Sequence, residues 1–227
     1  MGRPARTIGG HGPRGHLHDR EQEVTDGMPG NGFPFPVLGR SWPDYRDDPD
    51  LLGADDGVPG RGGWRFRRAA THLHRGIDLK GPVGTAVVAV EDGMAEFVSA
   101  ATGAGPVGWS TAGHRVRLFG ASGAGYLYLH LGTDHADVDD AFPAGRSPGD
   151  LVAVSAGEVI GYLGRTGGSV ATGQQIPLRA AHLHFEYHPD GLGNGDANPA
   201  RVLERSFGMP SPQPTGSLRA AGRHARP

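Results

Sequence analysis

The chain has 227 residues, a formal net charge of -2 and no cysteine. Disulfides, thiolate metal sites and cysteine nucleophiles are therefore excluded, and the charge argues against a general nucleic-acid binder, which needs a basic face. Gly 40 and Pro 19 make up about a quarter of the sequence, a level at which disorder enters, and neither residue suits a helix interior. This composition favours a β-rich domain with tight turns and disordered ends over a helix bundle.

In chain order, residues 1–32 are rich in Gly, Pro, Arg and His without hydrophobic period and read as a disordered N-terminal segment. Arg3 and Arg6 are followed by Gly, His and Pro, not by the apolar core of a signal peptide. No apolar run approaches the ~18 residues of a transmembrane helix. Short apolar runs, β-branched or aromatic and punctuated by Gly, then predict strands at Thr85–Val90, Met94–Val98, Val116–Phe119, Tyr126–Leu131, Val159–Leu163 and Leu183–Tyr187. Gly123–Gly125 between two of them reads as a hairpin turn. Ala136–Pro148, with its Asp run, and Gly167–Ala181 read as long loops, a length often tied to function. Residues 209–227 read as a disordered tail, leaving 33–208 as the folded domain.

Twelve histidines carry the chemical signal. His-x-x-x-Asp occurs at His74/Asp78, His130/Asp134 and His135/Asp139, where chance alone predicts about one, so context has to decide among them. In His182-Leu183-His184-Phe185-Glu186, strand alternation puts His182, His184 and Glu186 on one face and two apolar residues on the other. This either presents two imidazoles from a rigid element or makes a polar outer face. A bend at Gly76 lets His74 and Asp78 converge on one ion; the plainer alternative is a solvated turn. In Tyr126–Leu131 the alternation puts Tyr126, Tyr128 and His130 on one face, with Leu127, Leu129 and Leu131 as the core face. Two His and one Asp make a three-ligand zinc site with an open position, the catalytic arrangement, and further His beside it can handle protons or a developing oxyanion.

From Phe35 to Leu203 the chain resembles the LytM/lysostaphin family of zinc metallopeptidases, which cut peptide cross-links in bacterial peptidoglycan. The landmarks follow in the family's order: HRGIDL (74–79), GTAVVAVEDG (84–93), YLHL (128–131), GDLVAVSAGEVIGYLGRTGGS (149–169) and HLHFE (182–186), with Ala197-Asn198-Pro199 resembling the stretch after the last catalytic strand. The resemblance implies a mainly β fold, an antiparallel β-sandwich of the duplicated-hybrid-motif type with few short helices. It implies Zn2+ held by His74, Asp78 and His184, with His130 and His182 as the unliganded active-site pair. His130/Asp134 and His135/Asp139 become loop coincidences. His16/His18 has no matching partner, and His72 precedes the site without being a ligand. The implied activity is a peptidoglycan endopeptidase acting in the cell wall or periplasm on a peptide substrate.

Three departures stand out: the insertion 171–181, the Asp-rich stretch after His130, and the cluster Arg61, Arg65, Arg67 and Arg68. These segments are expected to border the cleft. The alternatives are a metal-free module that activates another wall hydrolase, and a phosphocarrier of related fold, against which Asp78 in its HRGIDL context argues.

Overall fold

A computed structural model describes residues 32–53, 60–69, 72–101, 110–168 and 174–209. The two segments expected to be disordered lie almost entirely outside these residues, as do His16, His18 and positions 169–173.

Ten strands and two short α-helices make up the described chain. The strands are β1 (Arg67–Ala69), β2 (His72–Leu73), β3 (Ile77–Lys80), β4 (Ala86–Val88), β5 (Gly93–Val98), β6 (His114–Gly120), β7 (Gly125–Leu131), β8 (Leu151–Val154), β9 (Val159–Tyr162) and β10 (His182–His188). Six of them form one sheet in the order β3-β10-β7-β6-β5-β8, while β4 pairs with β9 and β1 with β2. Every one of these pairings is antiparallel. The six runs expected as strands are all found. β1, β2, β3 and β8 are additional: each has at most four residues, too few for a period of two to stand out.

One apolar core joins the sheet to the β4–β9 pair. Phe97, Val116, Leu118, Tyr126, Tyr128, Leu183 and Phe185 meet Val87 and Ile160 there. The helix α1 (Trp42–Asp47) adds Trp42 and Tyr45 to the same core, and the Tyr45 hydroxyl donates to the Lys80 carbonyl at 2.9 Å. The second helix, α2 (Ala200–Leu203), closes it with Val202 and Leu203.

The inward face of β7 differs from the expectation. Tyr126 and Tyr128, not Leu127 and Leu129, enter the core, where both rings lie against Phe185 at 5.9 and 5.3 Å between centroids. Buried tyrosines need a polar partner, and Tyr128 has one: its hydroxyl accepts from the Val90 N–H at 3.0 Å. The alternation then breaks. Between the paired positions His114↔Leu131 and Val116↔Tyr128 the register shifts, with one extra residue on β7. His130 takes a left-handed φ of 67° there. Such a bulge re-aims a side chain: His130 leaves the core face, and Leu131 returns to it.

Candidate active site

Three elements bring the site together. β10 lies between β3 and β7, pairing His184 with Asp78 on one side and with Leu129 on the other. His74 stands just before β3 and reaches back to Asp78 across the bend at Gly76. Glycine is required at that bend: a Cβ would come within 2.5 Å of the Phe185 carbonyl and 2.8 Å of the His184 ring. The bulge at His130 completes the arrangement. Its ring centroid is 4.9 Å from that of His182 and 5.8 Å from that of His184. His74, Asp78, His130, His182 and His184 line one cleft of about 150 Å³, and all five are buried. The polar-outer-face and solvated-turn alternatives therefore fail.

Among the described residues, His74, Asp78 and His184 are the group of donors that could hold a metal ion, with one ligand atom each and all three atoms within 4.8 Å of one another. Hydrogen bonding assigns their protons. His74 Nδ1 donates to the Gly63 carbonyl at 2.9 Å, leaving a lone pair on Nε2. His184 Nε2 donates to the Glu186 carboxylate at 3.1 Å, leaving a lone pair on Nδ1. These two nitrogens stand 2.9 Å apart, and Asp78 Oδ1 lies 3.0 Å from the first and 2.9 Å from the second. Three electron pairs so close repel unless a cation or proton stands between them.

The electrostatics follow from this crowding. Burial disfavours a charged His184, but hydrogen bonds to Asp78 and Glu186 overcome it and push its pKa up to about 9. A proton there occupies the place of a cation. Burial works against the charged carboxylate of Asp78 too, yet His182, His74 and His184 hold it well below the usual range. Two imidazoles and a carboxylate, without a thiolate, suit zinc with one coordination position left for water or substrate.

His130 and His182 have the complementary property. Burial, reinforced by neighbouring imidazoles, pulls the pKa of His130 well below its ordinary value. Burial also lowers the pKa of His182, against the opposing pull of Asp78. Both are neutral at neutral pH. His130 Nδ1 donates to the Thr166 carbonyl at 2.9 Å and His182 Nδ1 to the Ala180 carbonyl at 2.7 Å. In both rings Nε2 therefore carries the lone pair. Among the described residues, His182 Nε2 is buried without a hydrogen-bond partner, 3.5 Å from Asp78 Oδ1.

Arg68 is a site residue that the motifs did not single out. Its buried guanidinium bonds the second oxygen of Asp78, leaving Oδ1 to face the imidazoles. The only signal in the sequence was the Arg cluster itself. Arg65 belongs to a different set, pairing at 3.4 Å with Asp196, which also accepts from Trp64 Nε1 at 3.0 Å. Of the segments expected to border the cleft, Gly168 in the 167–181 loop and Arg68 in the Arg cluster do line it. Thr111, Ala112 and Leu129 complete the wall, and in the described part of 171–181 Gln175 donates to the Thr133 carbonyl, Arg165 donates to that of Ile176, and the Ala180 carbonyl holds His182. Asp134 and Asp139 stay outside the donor cluster.

A mainly β scaffold with a buried His/Asp/His cluster and two neutral imidazoles beside it defines a metallohydrolase class of site. Residues 72–197 match Peptidase family M23, and the chain belongs to this family. It is 34% identical over 149 residues to the DD-carboxypeptidase/endopeptidase Mpg of Neisseria meningitidis serogroup B, and equally to that of Neisseria gonorrhoeae. Each match covers 66% of this chain, which spans only about a quarter (26%) of these relatives. Among solved structures, the catalytic domain of the antimicrobial peptidase lysostaphin from Staphylococcus simulans is 26% identical, with TM-score 0.43, over 63% of this chain and 89% of that one. A zinc-containing peptidase from Vibrio cholerae is 23% identical, with TM-score 0.41, over 65% and 36%.

Proposed function

We propose that this chain is a zinc-dependent endopeptidase that hydrolyses peptide cross-links or stem peptides of bacterial peptidoglycan, acting in the cell envelope outside the membrane. The observation that carries the reading is the meeting of three lone-pair donors, His74 Nε2, His184 Nδ1 and Asp78 Oδ1, in a cleft that also holds two neutral imidazoles. Membership of peptidase family M23 supports peptide-bond hydrolysis. The substrate is proposed from the family resemblance and from the activity for which the neisserial relatives are named.

In this mechanism His74, Asp78 and His184 hold the metal. Zinc supplies a Lewis acid that polarises the scissile carbonyl and brings the pKa of water toward ~7. The remaining work belongs to His130 and His182. Their N–H groups are committed to the backbone carbonyls of Thr166 and Ala180, which fixes each ring and turns its basic nitrogen away from those carbonyls. One Nε2 accepts the proton of the attacking water as the C–O bond forms, and the imidazolium so created returns that proton to the amine nitrogen as the C–N bond breaks. The other imidazole, which also presents a lone pair on Nε2, accepts a hydrogen bond from the same water and so orients it for attack. The low proton affinity of both rings keeps them in the accepting form at neutral pH.

The test is zinc content and peptidoglycan digestion on one preparation, wild type beside His184→Ala. Zinc near one per chain with digestion lost in the variant is the expected result. A wild type that takes up no zinc when it is supplied overturns the reading, and stimulation of a partner amidase by that metal-free protein would replace it with a regulatory role.

A further inference from the structure

Along one face of β10, three titratable side chains follow one another at His184, Glu186 and His188, all buried. His184 Nε2 lies 3.1 Å from Glu186 Oε1, and His188 Nε2 lies 2.9 Å from Glu186 Oε2. His188 Nδ1 is 3.1 Å from the Asn194 carbonyl oxygen. Both partners of His188 are acceptors only, so the ring donates from both nitrogens and is an imidazolium. Glu186 therefore sits between two donors, each with its own carboxylate oxygen. The hydrogen bonds to His184 and His188 draw its pKa far down against the cost of burial, and His188 is shifted up by the same contact.

We propose that Glu186 is a positioning residue for the metal site, locking His184 in the tautomer whose Nδ1 faces His74 and Asp78, with His188 as its buried counter-cation. The inference rests on the reading of His184 as a metal ligand. Three features of the chain support it. Ligating imidazoles characteristically give their second N–H to a carboxylate, which fixes the ring and raises its basicity. In the other tautomer, Nδ1–H would point into the space between the donors and Nε2 would oppose a carboxylate, so both ends of the ring would be mismatched. The strand period of two also places 184, 186 and 188 on one face without further design. His188 completes the set. Without it, the carboxylate of the zinc-loaded protein would be buried beside a neutral imidazole with one oxygen short of a donor, a costly state.

The experiment compares wild type, E186A, E186Q and H188Q by chelator competition for zinc, and by ring-15N NMR of the zinc-loaded proteins. E186A is expected to bind zinc about 10–100-fold more weakly, the usual effect of removing such a partner. E186Q, which keeps one acceptor oxygen, and H188Q, which keeps one donor, should lose less. With zinc saturating, the His184 Nε2–H proton should resonate far downfield in the wild type and move upfield in E186A. If E186A does not fold, E186Q carries the comparison. Wild-type zinc affinity in both Glu186 variants overturns the proposal. So does weakened affinity with an unmoved ring resonance, which would assign Glu186 a packing role. A wild-type chain that binds no zinc defeats the endopeptidase reading itself. A wild type that binds zinc and cleaves peptide, beside Glu186 variants with unchanged zinc binding, defeats this inference alone.

Discussion

His130 and Tyr128 are two positions apart on β7, yet they face opposite sides of the sheet. The Tyr128 ring packs on Phe185 in the core, while His130 opens onto the cleft at a φ of 67°. The one-residue bulge between them is what places an imidazole beside His182.

This separation makes the roles of the imidazoles testable one at a time. His130→Ala and His182→Ala should each lower kcat by about 10²–10⁴ while zinc content stays near one per chain. His74→Ala and Asp78→Ala should lose the metal together with the activity. Metal analysis and steady-state rates on the same four proteins separate the two classes.

Arg68 and Asp78 form a buried ion pair, and removing one member of such a pair leaves an uncompensated charge. Arg68→Met should destabilise the metal-free protein by about 3–5 kcal/mol. Added zinc should recover part of that loss by compensating Asp78 from the other side. Denaturant unfolding with and without zinc checks both statements. An equal loss under the two conditions would mean that Arg68 does not act through the Asp78 charge.

His114 gives a pH dependence separate from catalysis. Its Nδ1 accepts from the Ala100 N–H at 2.9 Å, and its Nε2 donates to the Asp134 carbonyl at 2.7 Å. The neutral ring satisfies both, whereas protonating Nδ1 would break the first bond. Burial lowers its pKa below the ordinary 6.5, so the unfolded chain binds the proton more readily than the folded one. The contribution of His114 is therefore complete above pH 6.5 and is lost as the pH falls below it. Wild type should lose more stability than His114→Gln between pH 7.5 and 5, measured by denaturant unfolding. Parallel curves would remove His114 as the cause.

Phe185 lies between His184 and Glu186 on β10 and is fully buried against Tyr126 and Tyr128. Phe185→Ala should cost about 3–5 kcal/mol of stability. Because the same strand carries His184, zinc affinity should fall with it. Phe185→Leu, which keeps more of the volume, should retain most of both. A Phe185→Ala protein with unchanged melting temperature would contradict the placement of this ring in the core.

What the sequence by itself determined is whatever depends on local pattern. The β-rich class follows from Gly and Pro content and from short β-branched runs. HLHFE, with apolar residues alternating against His182 and His184, specifies a strand that anchors on one side and presents imidazoles on the other. His74-x-x-x-Asp78 stands apart from the two other such pairs through the family resemblance that HRGIDL carries. The tertiary structure alone decided the rest. A strand period of two would have sent His130 into the core with Tyr128; the bulge that turns it outward is set by pairing with β6, which no local window contains. The short strands β3 and β8 exist because neighbours supply their hydrogen bonds. His184 meets Asp78 and His74 only because β10 is laid beside β3, and Arg68 of β1 meets Asp78 of β3 only in the folded chain. Proton placement was likewise beyond the sequence, because it depends on which backbone carbonyl or carboxylate each ring meets after folding.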